Sequence, residues 1–194
     1  MGEITDNNLQ NTIIYFTGYP GVGKLTTAKA LCEITGATLV DNHLINNPVL
    51  SVVRGSSIVK TADETWNRIR AIRDIVYDTI RNVAPKTASF VLTNFLTDDP
   101  SNQRIFNQVQ CLAKDREARF VPVILTCNEE ENFRRVTSPD RAANMKIANP
   151  ARLEQVMQSS KLLLIEHPNL LELDNTRLSA EQSATAVYRH IEHL

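Results

Sequence analysis

The chain has 194 residues, of which 42% are hydrophobic, and this fits one domain with an apolar core. Its formal net charge of −1 gives no basic field, so nucleic acid is not an expected partner. Its three cysteines have no disulfide or zinc-site spacing, and neither a signal peptide nor an apolar run of ~20 residues is present, so we expect a cytoplasmic protein and no membrane partner.

The spacing of apolar residues predicts strands that alternate with helices. Ile13–Thr17 is a run of β-formers that ends at Gly18, and the helix Lys24–Ile34 follows and stops at Gly36. Asn42–Ser57 is predicted to be irregular, because Pro48 and Gly55 interrupt a polar segment. Further strands are predicted at Ala37–Val40, Ser89–Leu92, Phe120–Leu125 and Leu170–Leu173, and further helices at about 58–83, 100–115, 129–136 and 151–164 and from Ser179.

Short apolar strands between helices predict a five-stranded parallel sheet covered on both faces, a three-layer α/β/α sandwich. Ligands of such sheets bind at the carboxyl ends of the strands, which meet at one edge. The residues predicted at this edge are Gly18, Asp41, Thr93, Cys127 and Asp174.

The strongest signal is the segment Gly18-Tyr-Pro-Gly21-Val-Gly23-Lys24, which has the G-x-x-x-x-G-K spacing between a strand and a helix. Such a loop surrounds phosphate oxygens with backbone N–H groups, and this needs backbone conformations that glycine adopts easily. The helix that follows directs its positive end at the same anion, and Lys24 can reach the β- and γ-phosphates. The residues predicted to bind a nucleoside triphosphate here are Gly18, Gly21, Val22, Gly23, Lys24, Leu25 and Thr26.

Two other interpretations of this segment are open. One is a glycine-rich connecting turn with a solvated Lys24. The other is a dinucleotide-binding turn, because Asp41 follows at the distance of a ribose ligand. The glycine order, however, is G-x-x-G-x-G, and a lysine has no role in a dinucleotide turn.

The expected ligands of Mg²⁺ are displaced in this sequence. Leu25 stands where a Ser or Thr hydroxyl normally binds the metal, and Thr26 points about 100° away, so we expect Thr26 to contact the α-phosphate. The third strand ends in Thr93-Asn94 without a carboxylate. Asp41 is the best remaining carboxylate at this edge, and we expect it to serve any Mg²⁺ that accompanies ATP.

From Gly18 onward the chain resembles P-loop kinases of nucleosides and small molecules, the group of adenylate, shikimate, gluconate and chloramphenicol kinases. The resemblance matches no single member; it implies the P-loop containing nucleoside triphosphate hydrolase fold and a single domain with a small lid at about 137–150. It also implies that Asp41 orients or deprotonates the acceptor hydroxyl and that Thr176, after the fifth strand, flanks the adenine. The arginines that it places near the phosphates are Arg134, Arg135 and Arg141.

Two functions follow as hypotheses. The first is a small-molecule kinase that moves the γ-phosphoryl group of ATP to an acceptor hydroxyl, with Lys24, Asp41, Arg134 and Arg141 as its catalytic residues. The second is a nucleotide-binding sensor or regulatory protein with little transfer, since both usual metal ligands are missing. The sequence identifies neither the acceptor molecule nor the nucleobase, so ATP and GTP are both open. Arginines 68, 70, 73 and 81 are predicted to be solvated, with substrate-anion binding as the alternative for one of them.

Overall fold

The computed structural model describes residues 9–53, 63–138, 147 and 149–194. The strands of this part of the chain are β1 (Thr12–Thr17), β2 (Thr38–Asp41), β3 (Phe90–Thr93), β4 (Arg119–Thr126) and β5 (Leu171–Asp174). Its helices are α1 (Lys24–Thr35), α2 (Asn42–Leu50), α3 (Asp63–Asn82), α4 (Pro100–Asp115), α5 (Glu129–Val136), α6 (Pro150–Ser159) and α7 (Ala180–Glu192). None of these helices is both long and apolar enough to cross a membrane.

The five strands form one parallel sheet in the order β2-β3-β1-β4-β5. The central strand β1 is buried along its whole length and pairs on both sides, with Tyr15 opposite Leu92 of β3 and Pro122 of β4. Because all strands run in the same direction, their carboxyl ends share one edge, as the sequence predicted.

Alternate residues of β1 enter two separate cores. Ile13 and Tyr15 pack with residues of α2, α3 and α4 on one face, and Ile14 and Phe16 pack with residues of α1 and α7 on the other. Helices therefore cover both faces of the sheet, and the predicted three-layer α/β/α sandwich is confirmed.

The prediction that residues 42–57 are irregular is wrong for its first part, because Asn42–Leu50 forms α2. Residues 54–57 lie outside the described part of the chain. Pro48 lies within the helix and lacks the N–H that would bond to the Leu44 carbonyl. Both residues are exposed, so this carbonyl lies on the solvent side, while Ile45 anchors the opposite side in the core.

The helix predicted at 151–164 is also shorter than expected. It ends at Ser159, because the chain beyond it becomes extended and Leu162 forms an antiparallel bridge with Thr97. The backbone N–H of Leu163 donates to the Leu96 carbonyl at 3.0 Å. This pairing holds the segment after α6 against the loop that follows β3.

Candidate functional site

The glycine-rich segment forms a loop that is held from outside by two side chains. The Val22 carbonyl accepts hydrogen bonds from Arg135 Nη1 at 3.0 Å and from Asn175 Nδ2 at 2.8 Å. Because the C=O and N–H of a trans peptide point in opposite directions, the Gly23 N–H points away from these two side chains. Exposure of backbone N–H groups on one side is what a phosphate-binding loop requires.

Gly21 is the point where the loop touches helix α5. Its φ of 97° is in the left-handed region, and an added Cβ would lie 2.0 Å from Asn132 Oδ1 and 2.7 Å from Val136 Cγ2. Only glycine therefore allows this approach. Asn132 is buried, and its Oδ1 has no hydrogen-bond partner in the described part of the chain. The sequence analysis missed Asn132, although its spacing from Val136 places the two on one face of α5.

Lys24 lies at the start of α1 with its amine folded over the loop. Its Nζ donates to the carbonyls of Gly18 at 2.7 Å and Tyr19 at 2.8 Å. Thr26 Oγ1 donates to the Gly23 carbonyl at 2.8 Å, so its hydroxyl contacts the loop backbone. Leu25 lines the same cavity with an aliphatic side chain where this loop type usually has a hydroxyl.

Asp41 lies at the end of β2, in register with Thr93 of β3. The Asp41 side chain is buried, and its Oδ1 accepts a hydrogen bond from the Thr93 hydroxyl. The same hydroxyl accepts from the Asn42 N–H at 3.3 Å. No described cation lies within ion-pair distance of Asp41, so a buried carboxylate has one neutral donor as its partner.

The two adjacent arginines of α5 have different environments. Arg135 donates to Glu131 Oε1, to Val22 O, and to both Asn175 Oδ1 and Asn175 O at 2.9 Å. Arg134 is 72% exposed and donates to the Glu131 carboxylate. Arg135 therefore connects α5 to the loop backbone, while Arg134 extends toward the cavity. The third predicted arginine, Arg141, lies outside the described residues, as does most of the predicted lid at 137–150.

Glu131 gives a test of this ion-pair cluster. Hydrogen bonds from Arg134 and then Arg135 lower the pKa of Glu131 to about 2 from 4.5. A carboxylate with a lowered folded-state pKa stabilises the fold above its unfolded pKa, and that contribution is lost as the pH falls toward 2. We expect Glu131→Gln to flatten the decrease in urea midpoint between pH 5 and pH 3. The exposed Glu129→Gln variant should keep the wild-type slope, and identical slopes for all three proteins would contradict the assignment.

Thr176 connects the loop after β5 to the start of α5. Its hydroxyl accepts from the Asn128 N–H at 2.8 Å and donates to Asp174 Oδ1 at 2.5 Å. The hydrogen bonds from Thr176 lower the pKa of Asp174. The next residue toward β5, Asn175, bonds to Val22, so this turn supports the glycine-rich loop.

A cavity of about 640 Å³ joins these elements at the carboxyl edge of the sheet. Gly18, Val22 and Thr176 do not line it, and Val22 packs in the core. The described residues contain no group of three or more His, Cys, Asp or Glu side chains that could hold a metal ion. The predicted residues that line the cavity are Gly21, Gly23, Lys24, Leu25, Thr26, Asp41, Arg134 and Arg135, together with His43, Thr93 and Asn94.

Comparison with known proteins gives a match in structure alone. No protein-family model and no curated protein sequence matches the chain. A sugar kinase from Janibacter sp. HTCC2649 is 15% identical with a TM-score of 0.60, over 94% of this chain and 95% of that one. A gluconokinase from Sinorhizobium meliloti 1021 is 14% identical with a TM-score of 0.61, and the match covers 96% of this chain and 95% of that one. An APS kinase from Mycobacterium tuberculosis was solved with AMPPNP and APS. It is 18% identical with a TM-score of 0.55, and the match covers 94% of this chain and 98% of that one.

The chain therefore has the P-loop kinase fold, and its structural neighbours are small-molecule kinases. No single member of that group is matched, as the sequence predicted. At these identities the likeness defines the fold, and the reaction must be argued from the residues of this chain.

Proposed function

We propose that this protein is an ATP-dependent small-molecule kinase, which transfers the γ-phosphoryl group of ATP to an acceptor hydroxyl. The observation that carries the proposal is one cavity lined by both Lys24, at the end of the phosphate loop, and the buried carboxylate of Asp41. Transfer needs a phosphate-binding cation and a hydroxyl-binding base beside the same space. The APS kinase, which was solved with a nucleotide analogue and an acceptor, supports this reading of the fold.

Each residue has a role that its contacts support. Lys24 would exchange its bonds to loop carbonyls for bonds to phosphate oxygens, and Asp41 would accept the hydrogen of the acceptor hydroxyl. Thr93 holds one Asp41 oxygen and leaves the other for the acceptor. Arg134, with Arg141, would stabilise the charge of the transferred group. Arg135 already donates to Glu131, Val22 and Asn175, so we assign it the positioning of the loop.

Mg²⁺ fits this site through a single protein carboxylate. Asp41 is buried without a cation partner within the described part of the chain, and a divalent ion beside it would compensate the charge. Mg²⁺ keeps several waters and takes phosphate oxygens as ligands, so one carboxylate is sufficient. Asp41 would hold the ion, which would neutralise negative charge on the phosphates. Leu25 contributes no ligand.

A second function is a nucleotide sensor with little transfer. Leu25 favours it, because a leucine provides no hydroxyl for Mg²⁺. The hydrogen bonds of Arg135 also favour it, because they connect the phosphate loop to helix α5. A nucleotide that moved the Val22 peptide would disturb this helix directly. The two functions share a nucleotide site and differ in whether Mg²⁺ and an acceptor have any effect.

The deciding measurement is thermal stability with ATP, GTP and ADP, each with and without Mg²⁺. Ligand at about 100 times its dissociation constant adds roughly 2.7 kcal/mol, or roughly 5–10 °C for a domain of this size. We expect this shift with ATP and its loss in Lys24→Ala. Lys114→Ala, an exposed lysine of α4 that does not line the cavity, is the matched control and should keep the shift.

The outcomes separate the two functions. A larger shift with Mg²⁺ supports the kinase, and a shift that is indifferent to the metal favours the sensor. No shift with any nucleotide, or an equal shift in Lys24→Ala, would reject a nucleotide site at this loop.

A further inference from the structure

Helix α1 presents two further side chains to the cavity beyond Lys24. Leu25 and Lys29 both line the cavity, and they share one face of the helix because they are four positions apart. Ala28, just before Lys29, is fully buried, so the helix is fixed against the core on another side. Long side chains on a helix lean toward its N-terminus, which directs Lys29 over the turn that carries Leu25.

Lys29 differs from the other described cations of the cavity in its contacts. The two arginines of α5 both form ion pairs with Glu131, and Lys24 donates to two carbonyls of the loop. Lys29 is exposed and forms no hydrogen bond or ion pair with any residue in the described ranges. An exposed lysine without a partner is common on a protein surface, so it is the position on the cavity wall that distinguishes Lys29.

Arg73 of α3 also has an unpaired atom, its buried Nε, but this arginine does not line the cavity. It is only 4% exposed, and it stands between Ile69 and Tyr77 at helical spacing in the row that faces the core. The prediction that this arginine is solvated is therefore wrong. Among the described cations of the cavity wall, Lys29 is the one that a phosphate could recruit without breaking a hydrogen bond or an ion pair.

The residue type at position 25 explains why a further cation is needed on this face. In a phosphate loop, the Ser or Thr hydroxyl after the lysine usually holds Mg²⁺, which neutralises the β- and γ-phosphates. Leu25 cannot hold the ion, so a triphosphate loses that charge compensation on the side of Leu25. Lys29 can restore it, since an ammonium on a flexible four-carbon stem binds phosphate oxygens as a point charge.

We propose that Lys29 is a second phosphate-binding lysine, whose ammonium binds β- and γ-phosphate oxygens of ATP in place of a hydroxyl-held metal. The proposal rests on the nucleotide site of the proposed function, but it does not depend on phosphoryl transfer. It accounts for how a loop that contains Leu25 binds a triphosphate when Mg²⁺ is absent. An ion at Asp41 does not conflict with it, because a triphosphate carries several charged oxygens.

The test measures the dissociation constants of ATP, ADP and AMP in EDTA by calorimetric titration, so that no metal takes part. The proteins are the wild type, Lys29→Met, Lys29→Arg and, as the matched control, Lys114→Met on the exposed face of α4. We expect Lys29→Met to weaken ATP binding by roughly 10-fold, the effect of losing one charge-assisted hydrogen bond at an exposed position. ADP binding should weaken less and AMP binding should not change. Lys29→Arg, which keeps the charge, should retain most of the affinity, and Lys114→Met should bind like the wild type.

Restoring the usual hydroxyl gives a second readout. Leu25→Ser supplies the missing metal ligand, so the double variant Leu25→Ser/Lys29→Met should bind ATP nearly as tightly as the wild type when Mg²⁺ is present. In EDTA the double variant should bind ATP as weakly as Lys29→Met. The wild type should lose much less affinity than the double variant when EDTA replaces Mg²⁺.

The failures of this proposal and of the nucleotide site are distinguishable. Equal ATP affinity of Lys29→Met and the wild type in EDTA would remove Lys29 from the site and overturn the proposal. A loss of the same size for AMP, or in Lys114→Met, would show a general effect of charge and also overturn it. Failure of the wild type itself to bind ATP would reject the nucleotide site, and this proposal with it.

Discussion

Replacement of Asp41 by asparagine is expected to lower phosphoryl transfer by roughly 10²- to 10⁴-fold, the usual contribution of a general base. Asparagine has nearly the same shape and keeps the oxygen that accepts from Thr93, so the end of β2 should not move. It cannot take up the acceptor proton, and it offers no negative charge to Mg²⁺. ATP without metal should therefore stabilise the variant as much as the wild type, and the increment from Mg²⁺ should be smaller.

The measurement is single-turnover transfer from ATP to an acceptor that the wild type phosphorylates. The matched control is Asp98→Asn, because Asp98 is an exposed carboxylate just after β3 and does not line the cavity. This control should transfer at the wild-type rate. A rate for Asp41→Asn within a few-fold of the wild type would remove Asp41 from the chemistry.

Replacement of Gly21 by alanine should lower the free energy of unfolding by about 3–5 kcal/mol. The new methyl group would overlap Asn132 Oδ1 and Val136 Cγ2, both on a packed face of α5. Its backbone would also be held at a positive φ that alanine disfavours. The loop and the helix must separate to accommodate it, so nucleotide-induced stabilisation should fall as well.

Gly23→Ala is the control variant, because it tests the cost of alanine at a positive φ without the steric overlap with α5. Gly23 has nearly the same φ, 95°, but the nearest atom to its added Cβ is 3.4 Å away, so we expect a loss of only about 1 kcal/mol. In urea unfolding, Asn132→Ala should recover part of the loss in a Gly21→Ala background, because it removes the closest overlap. Equal losses for the two glycine variants would mean that the contact with α5 does not constrain the loop.

The parts of the site that depend on local residue types were predictable from the sequence. The loop at Gly18–Lys24 requires positive φ values and a cation at fixed spacing, and Asp41 follows directly from the end of a strand. The outer support of the loop was not predictable. Asn175 and Arg135 reach Val22 across 153 and 113 positions of the chain, and only the finished packing brings them together.

Helices α2 and α3 show two different reasons for error. In α2, the breaker Pro48 is tolerated because its missing bond lies on the solvent side, a fact that depends on orientation. In α3, four arginines have the same intrinsic preference for water, and only packing decides which one is buried. A signal was nevertheless present, since Arg73 stands four residues from both Ile69 and Tyr77 and therefore shares their face.

The sheet order also decides when the site can form during synthesis. The central strand β1 pairs only with β3 and β4, and α1 packs against α7, the last helix of the chain. The nucleotide loop emerges from the ribosome first, but its support from Asn175 and α7 emerges last. At about 5–20 residues per second, β3 and β4 are complete roughly 4–22 s after β1, and until then the apolar β1 lacks its neighbouring strands. The glycine-rich loop lacks its support from Asn175 for longer still, so the proposed nucleotide site can form only when nearly the whole chain has been synthesised.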